Sequence, residues 1–413
     1  MKAVRCYFLI SGLSGLILFA PVAFGSVHAW SCMTMACVLF FLLSLHPEVI
    51  SQVRELPVFF RTAVIFVFLV VFIQLKFIPF DRSEVFYELL KWLALASAFM
   101  LTQRLTCKTI VWLIWLIILL GAAESLYGIY QVLSGNEMVL WRIKEVHRGF
   151  VTGTYLNRNH FAGFMEIVIG LQLGVFLWVL RKRQILGVLF LGILLMISFM
   201  GLIQSGSRMG MAALGLSFLF YFSFLWGRTW KTSIFFVVFT GALMGGALYM
   251  EWKYLMPRLI EAMDQMVTFE GRLTVWKDAI RLISYHPWLG IGLGNFKWVF
   301  PAVQSESLLM AWGHAHNDYI ELLTEIGIPA FSIFILAFAQ LWVYGNNLLA
   351  SSKSSLFPLA WGGFVGVTAL SLHGLFDFNF AIPANMMIYL LIWGCSIRIL
   401  KLSVEWNGEE DVL

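Results

Sequence analysis

The sequence predicts an all-α polytopic membrane protein of about twelve transmembrane helices, with a large structured loop outside the bilayer. Three observations predict it. The chain is 60% hydrophobic and 12% charged, whereas a soluble domain is about 25% charged. Apolar runs of about 20 residues, the length a helix needs to cross the hydrocarbon, recur along nearly the whole chain. The lysines and arginines of the short connections gather on one side of the resulting topology, as the orientation rule for membrane helices requires.

The expected spans are 6–25, 28–46, 61–79, 85–102, 109–132, 160–180, 185–203, 209–226, 232–250, 327–348, 355–373 and 383–400. The first is expected to stay uncleaved, because no small-x-small site follows it and further spans come after. Lys2 and Arg5, Arg54 and Arg61, Arg104 and Lys108, Arg181 to Arg183, Arg228 and Lys231, and Lys353 fall on one side. That side is expected to be cytoplasmic, with both termini on it. Residues 1–413 read as a single integral membrane domain whose partner is the lipid bilayer, with no nucleic acid. Cys6, Cys32, Cys37, Cys107 and Cys395 lie in or beside apolar runs and read as small hydrophobes rather than disulfide partners.

Two connections fall on the outer side: 133–159, and 251–326, which leads into the tenth helix. The first carries Arg142, Lys144, Arg148 and Arg158. Positive charge in a short outer loop opposes the orientation rule. It suits an anionic headgroup or substrate, or is ordinary solvated charge. In the second, residues 271–296 read as a helix, a Pro stop and a Gly-rich turn. On a helical wheel Leu273, Trp276, Ile280 and Ile283 share an apolar face, and Lys277, Asp278 and Arg281 a polar one. Arg272 falls on the apolar side, where a guanidinium needs an anionic partner unless it snorkels at the helix start. Trp252, Trp276, Trp288, Trp298 and Trp312 suit a loop lying in the headgroup zone, or one that stacks on sugars. Gly290, Gly292 and Gly294 follow Pro287 and Trp288 rather than a strand, so they are not a nucleotide loop.

The stretch MAWGHAHNDYIELLTEIGIPAF, residues 310–331, places polar groups at the mouth of an apolar helix. Asp318-x-x-Glu321 looks like a capping box that starts the helix there. His316, Tyr319, Ile320, Leu323 and Gly327 then share a face, with Asp318, Glu321 and Glu325 opposite. His316 has three possible roles: a metal ligand with His314, a structural histidine, or a general base, since an imidazole titrates near pH 6.5. Other polar groups gather at the same face. Arg208 opens one span; Asn157, Arg158, Asn159 and His160 open another; His373 and Asp377 close a third; Glu166 lies further in. Apart from Glu124, the span centres are free of charge. A transporter of lipid-linked glycan would instead carry a polar path through the midplane.

These residues carry a family resemblance. The chain resembles the O-antigen ligase/polymerase superfamily of membrane glycosyltransferases. The ligase motif is His, then Asn, Ser or Gln, nine residues, and Gly-x-x-Gly. Here it reads His316, Asn317, nine residues, Gly327, Ile328, Pro329 and Ala330, with Ala in place of the last Gly. Ser207-Arg208-Met209-Gly210 is similar to the family's Ser-Arg-Gly segment, with Met inserted. Gly271, Arg272, Trp276, Ala279, Pro287, Gly290, Gly292, Gly294 and Phe296 follow a third family segment. The resemblance is strongest over about 150–335.

It implies a twelve-span, GT-C-like architecture and a metal-independent, inverting transfer at the periplasmic face of the bacterial inner membrane, without cofactor. The implied donor is a glycan on undecaprenyl pyrophosphate. The acceptor is lipid A core for a ligase, or a second lipid-linked repeat unit for a polymerase. By motif, His316 is the implied base, and Arg208 and Arg272 bind pyrophosphate with Arg158 beside them. Asn317, Glu321, Asn159, His160, His373 and Asp377 are expected in support. Polymerases carry Arg-x10-Gly patterns, and Arg142 to Gly153 and Arg281 to Gly292 fit that spacing. The His316 motif is more ligase-like, so a ligase is the first expectation.

Overall fold

The computed structural model describes residues 2–226, 269–308 and 311–405, with residues 234, 238, 241 and 245. Its helices are α1 (Lys2–Val22), α2 (Ala29–Leu45), α3 (Val49–Val53), α4 (Val58–Phe77), α5 (Arg82–Leu101), α6 (Cys107–Leu133), α7 (Arg158–Arg181), α8 (Ile185–Gln204), α9 (Arg208–Trp226), α10 (Phe269–Tyr285), α11 (Phe296–Val299), α12 (Asp318–Ser351), α13 (Phe357–His373) and α14 (Pro383–Glu405). A short antiparallel hairpin, β1 (Met138–Val139) with β2 (Arg142–Ile143), lies between α6 and α7. Among the described residues nine helices are long and apolar enough to cross a membrane, and Ala29–Leu45 and Phe357–His373 are shorter apolar helices. Most of the expected span 232–250 lies outside the described residues, as do Arg228, Lys231, Trp252 and the C-terminal tail after residue 405.

The bundle is organised on α7, which is buried along nearly its whole length. It runs antiparallel to α13 at backbone contact. A Cβ on Gly170 would lie 2.6 Å from the Gly366 nitrogen, and one on Gly174 would lie 2.5 Å from the Pro358 carbonyl oxygen. Small residues spaced four apart let two helices approach this closely where the surrounding solvent is lipid. The pair therefore fixes the first turn of α7 against the last turn of α13, where the polar residues cluster. Buried acids near that end find partners on neighbouring elements. Glu124 on α6 accepts from the Thr154 backbone N–H and hydroxyl, each at 2.7 Å. Glu166 on α7 pairs with His373 on α13 at 2.6 Å. At the opposite end, Arg104 meets Glu48 at 3.4 Å and Lys401 meets Glu55 at 3.3 Å.

Two local expectations are revised. The helix carrying the expected span 327–348 starts at Asp318, where the capping-box reading put it, but it is not continuous: it breaks at Gly327, whose φ of 77° and ψ of 168° leave the helical region. The break exposes carbonyls to the Gly-rich turn. Ile291 N–H donates to Thr324 O at 2.9 Å, Gly292 N–H to Glu325 O at 3.0 Å, and Ile328 N–H to Pro287 O at 2.8 Å. Gln74 on α4 locks the joint, donating to Leu289 O at 2.6 Å and to Glu325 O at 2.8 Å. The second revision concerns α10. Its buried side is Val275, Asp278, Ala279 and Leu282, whereas Leu273 and Ile280 are exposed. Asp278 is buried because it accepts from the Ser305 backbone at 2.8 Å and from the Ser305 hydroxyl at 2.9 Å. Val275 and Ala279 pack on Phe296, Phe300 and Ala315, so α10 and α11 form a small layer beside the start of α12.

Gly327→Ala should lower the thermal unfolding temperature, followed by tryptophan fluorescence, by several degrees. The new Cβ would sit 2.5 Å from the Trp288 carbonyl oxygen, and the positive φ alone costs about 1–3 kcal/mol for a side-chain-bearing residue. Gly15→Ala, with nothing within 4 Å of its new Cβ, should be neutral. Equal unfolding temperatures for both variants would contradict a locked joint.

Candidate functional site

The site assembles from the start of α12, the start of α7 and the corner between α13 and α14. Asn317, not Asp318, caps α12: its side-chain oxygen accepts from the N–H groups of Tyr319 and Ile320, both at 3.0 Å. Asp318 instead turns to the corner, where its carboxylate accepts from Phe380 N–H at 3.1 Å. Its own N–H donates to Gly374 O at 2.8 Å. Asn317 also donates to Leu375 O at 2.8 Å. His316 therefore lies just before the helix, off the face where a continued helix would put it. Its φ of 48° is in the left-handed region, which a side-chain-bearing residue rarely adopts and which strained functional positions often do.

Asp377 is the centre of the corner and is 1% exposed. His316 Nδ1 lies 3.2 Å from its Oδ1, close but off the line of a straight hydrogen bond. Asn159 on the first turn of α7 donates to the other oxygen, and Phe378 N–H donates to Oδ1 at 2.9 Å. Burial alone would raise the pKa of this carboxyl. The close approach of His316, with the charges of His160 and His373, holds it well below the usual carboxylate range. It is ionised at neutral pH. A neutral imidazole whose N–H is on the nitrogen facing a carboxylate has its lone pair on the other nitrogen, which here is Nε2.

Aromatic rings fix the imidazole. Trp312 meets it edge to face at 5.2 Å and Phe378 at 4.8 Å. Phe378 also stacks on His314 at 4.1 Å and meets His160 at 4.7 Å. The two histidines of the motif thus diverge: His316 goes to Asp377, and His314 to Glu321 at 2.7 Å. Glu321, expected near His316, serves His314 and also accepts from Ala315 N–H at 2.8 Å. His373 faces Glu166 beneath the corner rather than the opening. Among the described residues no three His, Cys, Asp or Glu side chains gather as ligands for one ion.

Of the three arginines, one bonds to the corner directly. Arg272 donates to Phe376 O at 2.5 Å, next to Asp377. Arg158 follows the Asn157 cap of α7 and lies over the Phe150 ring at 4.2 Å. Arg208 is exposed and opens α9. Just before it, Gly206 sits where an added Cβ would be 3.1 Å from the Arg158 guanidinium. Sequence reasoning missed His147, which shares this environment. Burial and the Arg158 charge push its imidazole down to about 4, so it is neutral at physiological pH. Lys144, buried with its amine donating to Phe150 O at 3.0 Å, is pushed down to about 8 by burial, with Glu137 opposing. A histidine in a basic outer loop was the available signal.

Residues 193–335 match the family model described as O-antigen ligase. Over that segment, about a third of the chain, the protein is similar to the family. The matched segment includes Arg208, Arg272 and His316, while Arg158, Asn159 and Asp377 lie outside it and reach the site through the fold. No curated protein matches the chain.

The His314–Glu321 pair gives a pH signature. Burial disfavours the His314 cation, but the charge and hydrogen bond of Glu321 outweigh it and raise the imidazole above its ordinary value. A raised value means stability that is fully present below about pH 6.5 and is lost as pH rises through the folded value. The difference in unfolding temperature between wild type and His314→Gln should therefore be largest near about pH 6 and shrink above it. A difference constant from about pH 5.5 to 9 would show that the charge does not matter.

Proposed function

We propose that this protein moves a glycan from undecaprenyl pyrophosphate to an acceptor hydroxyl, at the periplasmic face of the bacterial inner membrane. The observation that carries this is His316, held in a strained backbone beside the buried carboxylate of Asp377, with Arg272 bonded to the neighbouring Phe376 carbonyl. The acceptor O–H gives its proton to Nε2 of His316. Its oxygen attacks the anomeric carbon, the carbon–oxygen bond to phosphate breaks, and undecaprenyl pyrophosphate leaves with the electron pair. One displacement inverts the anomeric centre. Asp377 orients the imidazole and stabilises the imidazolium that forms. Arg158, Arg208 and Arg272 meet the charge on the leaving pyrophosphate through guanidinium forks, so the reaction needs no metal. Lys144 and His147 border the same region, His147 as a neutral donor or acceptor. The His316-Asn317 motif and the family match favour a ligase with lipid A core as acceptor over a polymerase. Asn159 and Asn317 act by positioning the corner and the start of α12.

His316→Ala should cut turnover about a hundredfold or more, the loss expected for a positioned base, while binding of undecaprenyl pyrophosphate persists. His314→Ala should be milder, and a chelator should change neither. Equal losses from both variants, restored by added zinc, would replace the base with a metal site. Replacing Arg158, Arg208 or Arg272 by Lys should weaken donor binding less than replacing it by Ala, since charge survives while the bidentate fork is lost. Reconstituted protein with radiolabelled donor, offered lipid A core or a second donor, separates ligase from polymerase; transfer to neither overturns the proposal.

A further inference from the structure

One helix, α10, holds both halves of the His316–Asp377 pair. Its Arg272 donates to Phe376 O, the carbonyl just before Asp377, at 2.5 Å, and its Trp276 indole donates to Ala315 O, the carbonyl just before His316, at 2.9 Å. On another side of the helix Leu273, Lys277, Arg281 and Tyr285, spaced four apart, form one exposed row. Ile280 beside the row is exposed too, and Trp288, just past the helix end, is 76% exposed. Arg281 is half-exposed, with Asp278 at 3.6 Å. The level of this end is fixed by a joint with two spanning helices. Ile328 N–H donates to Pro287 O at 2.8 Å, and Gln74 donates to Leu289 O at 2.6 Å. Gln74 lies about one turn inside the end of α4, and Ile328 lies on α12. Both helices are long and apolar enough to cross a membrane. Phe77 and Ile328, their exposed apolar side chains at this level, face lipid. Tyr285 and Trp288 therefore stand where the spans meet the headgroups. Arg281 and Lys277 follow about 6 and 12 Å along the α10 axis, where their long stems reach a phosphate layer.

We infer that the exposed row of α10 docks on anionic phospholipid at the end of the bundle that carries the site, and that the docked helix steadies the His316–Asp377 pair. Tyr285 and Trp288 supply amphipathic rings of the kind that settle at the membrane–water boundary. Lys277 and Arg281 supply the charge, and a basic side chain beside an anionic membrane surface contributes about fivefold in affinity. Charge selects among lipids, because an anionic headgroup carries a net charge for these cations to meet and a zwitterionic one does not. The row is continuous with the lipid-facing Phe77 and Ile328, so its occupant is the bilayer in which those helices already stand. Arg272 and Trp276 belong to the same helix, so ordering of the row reaches the Phe376 and Ala315 carbonyls without any ligand entering the site. The docking stands without the transferase reading; only its consequence for glycan transfer rests on that reading.

The test is hydrogen–deuterium exchange of the full chain in nanodiscs of phosphatidylcholine alone and of equal parts phosphatidylcholine and phosphatidylglycerol. Exchange over residues 277–285 should be at least about fivefold slower in the anionic discs, the factor expected of one basic side chain, and residues 311–318 should slow with it. In a Lys277→Gln/Arg281→Gln variant the difference between the discs should vanish. Lys353→Gln, which alters an exposed lysine at the opposite end of the bundle, should keep it. Protection of the buried α7 reports that each variant is folded. Equal exchange over 277–285 in the two kinds of disc overturns the proposal, as does an undiminished difference in the double variant. Slowing of 277–285 that 311–318 does not share overturns the link to the site. Protection that needs two copies per disc and ignores phosphatidylglycerol gives the row to a second copy of the chain and also overturns it. None of these readings uses glycan transfer, so failure of the transferase reading leaves them unchanged; transfer assayed in the same discs tests that reading separately.

Discussion

The arrangement depends on one buried charge, the carboxylate of Asp377. A carboxylate taken out of water costs several kcal/mol unless its oxygens are met. Here the partners come from separate parts of the chain: His316 before α12, Asn159 on α7 and the Phe378 backbone. Each partner is itself anchored. Asn159 rides on the helix that the glycine contact fastens to α13, and His316 precedes a helix whose cap and first residue are bonded to the corner. Loosening any anchor leaves the charge less satisfied, so the constellation holds together or fails together.

The same charge organises the chemistry. In the proposed reaction it faces Nδ1 of His316, which leaves Nε2 to take the proton, and it lowers the cost of the imidazolium. The strained φ at His316 is tolerated because Asn317 caps the helix immediately after it and Trp312 and Phe378 clamp the ring.

Most of the fold was legible in the sequence, since run length in a bilayer is a strong constraint and the apolar runs coincide with the helices. His316, Arg272 and the glycine turn stood out in the sequence as motif positions, and it was the family resemblance that implied roles for the first two. What spacing hid was partnership. Asp377 lies in a loop, where no periodicity marks it, and reads only as one polar residue among several until three segments converge on it. Asp278 looked like a solvated charge because its partner, Ser305, lies beyond the helix that carries it. Asn317 was passed over as the cap because Asp318 and Glu321 imitate a capping box, yet both carboxylates are used elsewhere. Lys91 and Glu88 lay inside an apolar run, a signal in itself, since ionisable residues within a span are costly unless paired or functional.

The most direct measurement is single-turnover glycan transfer by Asp377→Asn, a near-isosteric change that removes the charge. If Asp377 orients and charges the base, transfer should slow about a hundredfold or more, beyond the loss of folded protein that a lowered unfolding temperature accounts for, with undecaprenyl pyrophosphate binding retained by the folded fraction. Transfer at the wild-type rate would contradict the central claim.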